Sequence, residues 1–240
     1  MKYLGITDDQ LYLAVARAGD DSIVQDRTQV AGNFVEGRVC EGCNSGWMRD
    51  LENQTMDLIK PLIDGKSNLL TLSDEERTRL AKWAAKTAFV ISHASPLKKT
   101  PPKSQMRYLK DHKGSVPPQV EIYGQQSLWR GDFDQIQRNQ WLHVTGRQGE
   151  QPSPPDGSYK IAFRFRALML LVAHWSEPNS MPVIAASLHI PLWPINKLHI
   201  TYHRQLPPLD QTAQMAALDR FSTALAVCSL DDFIPVASTN

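Results

Sequence analysis

The sequence predicts an α+β fold in which a cysteine-containing turn leads into a pair of helices, followed by an antiparallel sheet and a C-terminal helix. Three observations lead to this prediction. Apolar residues recur at about 3.6-residue spacing through 47–62 and again through 80–91, which is typical of amphipathic helices. From residue 120 onward the pattern changes to strands, and apolar and polar residues alternate most clearly through 159–166. The helical and strand patterns lie in different parts of the chain, without an internal repeat, which is typical of the α+β class.

Composition excludes several classes of protein. The chain has 240 residues, of which 42% are hydrophobic, enough for a buried core. Lys and Arg number 26 against 25 Asp and Glu, which excludes an overall basic coat but leaves room for a local basic patch. Three cysteines are too few for a disulfide framework, no apolar run reaches the roughly 18 residues of a membrane span, and the N-terminus does not resemble a signal peptide. We therefore expect a soluble, cytoplasmic protein without a membrane partner.

The N-terminal part begins with weakly patterned residues and then two helices. Residues 11–15 and 33–39 have strand-like composition and flank a polar stretch, which suggests a hairpin. Asn44 is a suitable N-cap for the first helix, and Gly65 a suitable stop. Ser73 and Glu76 have the spacing of a capping box at the start of the second helix. The apolar stripe of that second helix is Leu80, Trp83, Ala84, Thr87, Ala88 and Ile91.

A proline-rich segment follows, and it divides the chain into regions 1–95, 96–118 and 119–240. Within it we expect about one helical turn near Met106. The segment also carries a run of cations: Lys98, Lys99, Lys103, Arg107, Lys110 and Lys113. This run either follows a phosphate backbone, with Tyr108 as a stacking face, or is a solvated loop.

The C-terminal region predicts a sheet. Strands are expected at 120–123, 141–145, 159–166, 167–173, 183–190 and 197–204, followed by a helix from Asp210 through Cys228. In the third of these strands, alternation places Lys160, Arg164 and Arg166 on the face opposite the aromatic residues. That positive stripe either meets phosphate or is the solvated side of the sheet.

The segment most informative about chemistry is the pair Cys40 and Cys43. Two cysteines separated by two residues at a strand-to-helix turn form half of a zinc knuckle, since Zn²⁺ takes four soft or borderline ligands. A free thiol pair and a redox pair are the alternatives. Asn44, directly after the pair, is either a helix cap or a catalytic residue.

Around these cysteines the sequence resembles a known family. The run VCEGCNSGWM, followed by LEN, matches the C-x-x-C-N-x-G-W-M-x-x-L-E signature of bacterial HNH endonuclease-like proteins. The run LAKWAAKT at 80–87 and the later Trp193-Pro194 are also similar to elements of that family. Residues 39–52 and 80–87 carry the specific part of the likeness.

The resemblance implies a ββα-metal finger, or partial treble clef, acting on DNA or RNA in bacterial or phage defence. Cys40 and Cys43 would help to hold a structural Zn²⁺, Mg²⁺ or a similar ion would assist phosphodiester hydrolysis, and Asn44 would match the last letter of the family name. Residues 1–39 contain no cysteine and no histidine, so the family's upstream CxxC and Glu-His motifs are not in this sequence. Three explanations for the missing motifs stay open. They are a true start that lies upstream, loss of the catalytic half, and supply of that half by a protein partner or a second copy. So do two functions: a metal-dependent nuclease completed in one of these ways, and a catalytically inactive binding module.

Overall fold

The computed structural model describes residues 11–17, 23–30, 39–94, 101–126, 133–138, 142–143, 157–176, 180–184, 189–195, 221 and 225–229. Within these ranges the prediction of an α+β class is confirmed. The helical elements are α1 (Glu41–Cys43), a π-helical segment (Asn44–Met48), α2 (Arg49–Ile63), α3 (Asp74–Ala94) and α4 (Lys103–Asp111). The strands are β1 (Leu11–Arg17), β2 (Ile23–Val30), β3 (Val120–Gln126), β4 (Phe133–Arg138), β5 (Leu142–His143), β6 (Tyr159–Phe165), β7 (Leu168–His174), β8 (Ser180–Ile184), β9 (Ile190–Trp193) and β10 (Leu225–Ser229).

The strands form two sheets. The larger sheet has the order β2-β1-β4-β6-β7-β3-β9, and the smaller has the order β5-β10-β8. In the larger sheet β1 runs parallel to β4, and the other neighbouring strands are antiparallel. The predicted antiparallel sheet is therefore present at its centre, where β6, β7 and β3 lie side by side.

The ends of the two long helices follow from local chemistry. At the start of α3, the Ser73 amide donates to Glu76 Oε2 at 2.8 Å and the Glu76 amide donates to Ser73 Oγ at 3.3 Å, so the predicted capping box is confirmed. After α2, Gly65 has φ +68, a conformation that glycine adopts without a side-chain clash. Each helix thus begins or ends where a specific residue satisfies its terminal backbone groups.

The helices pack on one face of the large sheet. The predicted stripe of α3 is buried, and Trp83 contacts Phe165 with ring centroids 5.7 Å apart. One hydrophobic cluster joins α2, α3, Leu109 of α4 and the side chains of β6 and β7 that face them. Side chains on both sides of the connector 96–118 therefore belong to one core.

The opposite face of the sheet is also buried. Lys160 is 1% exposed and Arg164 is 0% exposed, in a strand that is buried at all seven positions. A second apolar cluster lies on that face and includes Tyr123, Trp175 and Phe221. The predicted solvated face of β6 is wrong, because this sheet has a core on both sides.

Several other elements differ from expectation. Strand β2 pairs antiparallel with β1, as expected of a hairpin. It lies at 23–30, in the polar stretch between the two predicted strands, rather than at the predicted 33–39. Helix α4 has 9 residues rather than about one turn. Residues 225–229 are a strand, with Cys228 paired to Met181, so the predicted helix through Cys228 is wrong at its end. The predicted strand at 197–204 and the start of that last helix lie outside the described residues.

Candidate functional site

The cysteine pair lines a groove between the start of the helical region and α4. The groove has a volume of about 400 Å³. Its apolar part is supplied by Val39, Trp47, Met48, Val90, Met106 and Leu109. Arg107, Lys110 and Asp111 of α4 complete the lining beside Cys40 and Cys43. The groove thus combines an apolar surface, two thiols and two cations.

The first turn is closed by Cys40 rather than by Asn44. Cys40 has extended backbone angles, and its Sγ accepts the Cys43 amide at 3.2 Å. The amides of Cys43 and Asn44 both donate to the Cys40 carbonyl at 3.0 Å. The prediction that Asn44 caps the helix is therefore wrong, because its backbone is already helical. Its side chain is exposed, and a catalytic role for Asn44 stays a prediction.

The two thiols have unlike environments. The Cys43 thiol donates a hydrogen bond to Cys40 Sγ, which lowers the pKa of Cys40, and the Cys43 amide and the positive charge of Lys110 act in the same direction. The same hydrogen bond raises the pKa of Cys43, and burial raises it further. Cys40 is exposed whereas Cys43 is half-buried. Cys40 is therefore the thiol that ionises and meets solvent first.

The described residues offer an incomplete donor set for a metal ion. Structural zinc needs four ligands, and Cys40 and Cys43 supply two soft ones. Across the described ranges, no group of three or more His, Cys, Asp and Glu side chains is arranged to hold a metal. These residues alone do not fit Zn²⁺, nor a Mg²⁺ site for hydrolysis, so both ions stay predictions that depend on ligands from elsewhere.

The basic run is organised by α4 into one face. Lys103, Arg107 and Lys110 are all exposed, and at 3.6 residues per turn they lie within about 60° of the helix circumference. The opposite face is buried through Gln105 and Leu109. Part of the predicted nucleic-acid-binding set therefore lies together, as a surface that borders the groove. Lys98 and Lys99 lie outside the described residues.

The other predicted cations are placed differently. Arg164 is buried within the sheet, so it cannot offer its guanidinium to an external phosphate in this structure. Arg166 follows the strand at φ +47 and its Nη1 donates to Asp64 Oδ1 at 3.1 Å. The positive stripe predicted from Lys160, Arg164 and Arg166 is thus not an exposed surface.

Specific contacts hold α4 beside the groove. Tyr159 of β6 donates its hydroxyl hydrogen to Gln105 Oε1 at 2.6 Å. After α4, Gly114 has φ +87, and a Cβ there would lie 3.1 Å from Trp47 and 3.1 Å from Leu51. The close approach of Gly114 to Trp47 fixes the chain after α4 against the helix that follows the cysteines.

Sequence reasoning missed the groove itself. Lys110 and Cys40 are 70 positions apart, and only the packing of α4 against Trp47 brings them to one groove. Tyr108 was expected as a stacking face, but its partner His112, the residue after α4, was missed; the two rings stack with centroids 3.9 Å apart and 15° between their planes. The i,i+4 spacing of these two residues was the available signal, since such residues are neighbours on a helix.

Comparisons with protein-family models, curated proteins and solved structures found no match to this chain. Among the helices of the described ranges, none is both long and apolar enough to cross a bilayer.

Proposed function

We propose that this chain is a nucleic-acid-directed protein of the HNH endonuclease-like kind, and that α4 is its contact with the phosphate backbone. The observation that carries the proposal is the exposed row of Lys103, Arg107 and Lys110 on one face of α4. Cations on one face can neutralise successive phosphates, which is the main source of affinity for nucleic acid.

The dimensions of this row suit a phosphate backbone. At 1.5 Å per residue, Lys103 and Lys110 lie about 10 Å apart along the helix axis. A nucleic-acid strand carries a phosphate every 3.4 Å or so along its axis, so the row is long enough to meet about three of them. The stacked rings of Tyr108 and His112 lie at least about 100° around the helix from this row, so they do not belong to the same surface.

We propose phosphodiester hydrolysis only if the missing catalytic half is supplied. The motif around Asn44 is the reason to consider a Mg²⁺-dependent phosphodiesterase, although the water-activating histidine that the resemblance places before the cysteine pair is not among residues 1–39. Binding without catalysis is therefore the part that the geometry supports best. A plasmid-nicking assay with Mg²⁺, run on wild type and on Asn44→Ala, separates the two: nicking lost in the variant supports the nuclease, and no nicking by either protein supports the binding module.

The binding proposal is tested by charge reversal with a matched control. Lys103→Glu/Lys110→Glu removes two cations from the α4 face, whereas Lys60→Glu/Lys66→Glu makes the same charge change at exposed positions on and after α2. We expect the first variant to bind a fluorescein-labelled oligonucleotide at least about tenfold more weakly at low salt, where phosphate contacts matter most. The control should stay within about twofold of wild type.

The two variants have equal net charge, so a general electrostatic effect would weaken both alike. Equal weakening would contradict a specific role for α4, and so would wild-type affinity in the first variant. Fluorescence anisotropy with single-stranded and duplex DNA, and with RNA of the same sequence, would also show which nucleic acid is preferred.

A further inference from the structure

The two cysteines are held close together by the turn that contains them. The Cys43 amide donates to Cys40 Sγ at 3.2 Å and to the Cys40 carbonyl at 3.0 Å. A disulfide joins residues whose Cα atoms lie about 4.4–6.8 Å apart, and the two ends of such a hydrogen-bonded turn lie within about 7 Å of each other. Both cysteines are free thiols.

Access to these thiols is unequal. Cys40 is exposed, whereas Cys43 is half-buried beside Trp47. Thiol–disulfide exchange proceeds by attack of one sulfur on another, so access decides which thiol reacts first. Cys40 is the sulfur that an incoming disulfide meets, and Cys43 is the neighbour positioned to resolve the product.

The groove indicates which disulfides would be accepted. Arg107 and Lys110 line it together with Cys40, and both are exposed cations. Asp111 is the acidic residue among the lining groups. This balance favours a small disulfide that carries carboxylates over a neutral or cationic one.

We propose that Cys40 and Cys43 form a thiol–disulfide exchange site for anionic low-molecular-weight disulfides. Cys40 sulfur, as the thiolate, attacks one sulfur of the disulfide, whose S–S bond breaks and releases one thiolate that takes a proton from water. Cys43 then loses its proton to water and attacks Cys40 Sγ, which expels the second thiolate. Two protein thiols are thereby oxidised to one disulfide, and one small disulfide is reduced to two thiols.

The experiment uses the reduced full-length chain and oxidised glutathione as the probe, followed by intact mass and peptide mapping. Wild type should lose two hydrogen atoms, with the new bond mapped between Cys40 and Cys43. Cys43→Ser should instead accumulate one glutathione on Cys40, because its resolving thiol is gone. Cys40→Ser should react about tenfold more slowly than Cys43→Ser, since its remaining thiol is half-buried.

Two matched variants complete the design. Cys228→Ser should behave as wild type, because Cys228 lies in β10 and is not part of the pair. Lys110→Gln should slow the reaction with oxidised glutathione at least about twofold more than it slows the reaction with an uncharged disulfide such as oxidised mercaptoethanol, because only the anionic disulfide also loses its attraction to the lysine. Circular dichroism of each variant checks that it is folded.

Three results would overturn the proposal. The first is a stable mixed disulfide in wild type that never closes. The second is equal reactivity of Cys40→Ser and Cys43→Ser. The third is about one zinc per purified chain that blocks the reaction until it is chelated, which would show the pair to be a metal site. None of these results bears on the phosphate contacts of α4, so the site can fail while nucleic-acid binding stands.

Discussion

Two sets of cations in this protein have the same chemistry and opposite surroundings. Lys103, Arg107 and Lys110 lie on the exposed face of α4. Lys160 and Arg164 lie on one face of β6 and are almost completely buried. In both sets the spacing places the cations on one face. On the helix α4 they are three or four residues apart, and on the strand β6 they are an even number apart.

Periodicity in a sequence identifies which residues share a face, but not what covers that face. A period of two shows that Lys160 and Arg164 share a face, but it does not show whether something covers that face. Here Tyr123, Trp175 and Phe221 form a second apolar cluster on that side of the sheet. On α4 the buried side is occupied by Leu109, so the cations on the other side remain in water. We therefore propose phosphate binding by α4 and not by the cations of β6, which are buried within the sheet.

A buried and an exposed arginine should differ strongly in how much their loss lowers the free energy of unfolding. Arg164→Ala should lower the free energy of unfolding by about 3 kcal/mol or more, because it removes a large, fully buried side chain and leaves a cavity in the sheet. Arg107→Ala should change it by no more than about 0.5 kcal/mol, since Arg107 is exposed. Urea unfolding of both variants measures the difference. If the two losses were equal, the distinction between the buried and the exposed set would be broken.

A smaller effect concerns the buried histidine of the neighbouring strand. Burial lowers the pKa of His174 on β7, although a hydrogen bond of its Nδ1 with the Gln119 carbonyl at 3.0 Å opposes this. Because the unfolded chain then binds a proton more readily, the free energy of unfolding should fall as pH is lowered through the ordinary range of histidine. The loss should continue until the lowered pKa of the folded state is passed.

His174→Gln should reduce this dependence on pH. Unfolding midpoints in urea at several pH values between neutral and mildly acidic would show it as a flatter curve than that of wild type. An unchanged slope in the variant would mean that other groups dominate the acid response, and that the sheet tolerates a charged His174.

The structural features that the sequence predicted correctly are those that depend on nearby residues. Ser73 and Glu76 form the expected capping box, and the apolar stripe of α3 is buried. Both rest on residues within one or two turns of each other, so no distant part of the chain can alter them. Strands β3 and β6 were likewise predicted from a local pattern, and β7 was predicted from a short continuous apolar run.

Other features depended on distant contacts or on uncommon local choices. Cysteine is a rare N-cap, so the preference of Asn44 for that position was misleading. Strand β2 lies at one end of the large sheet, where a strand has one neighbour and tolerates a polar composition such as IVQDRTQV. The groove could not be predicted because one of its walls is α4. Nothing in the proline-rich segment indicated that Leu109 packs on the core shared with α2 and α3.

Binding of the phosphate backbone by the α4 face is best tested by the salt dependence of binding. The logarithm of the binding constant for duplex DNA should be measured against the logarithm of salt concentration for wild type and for Lys103→Gln/Arg107→Gln/Lys110→Gln. Each lost phosphate contact should reduce the slope by about 0.9, so we expect the slope of the variant to be shallower by nearly 3 units. Parallel lines for the two proteins would show that α4 does not contact phosphate.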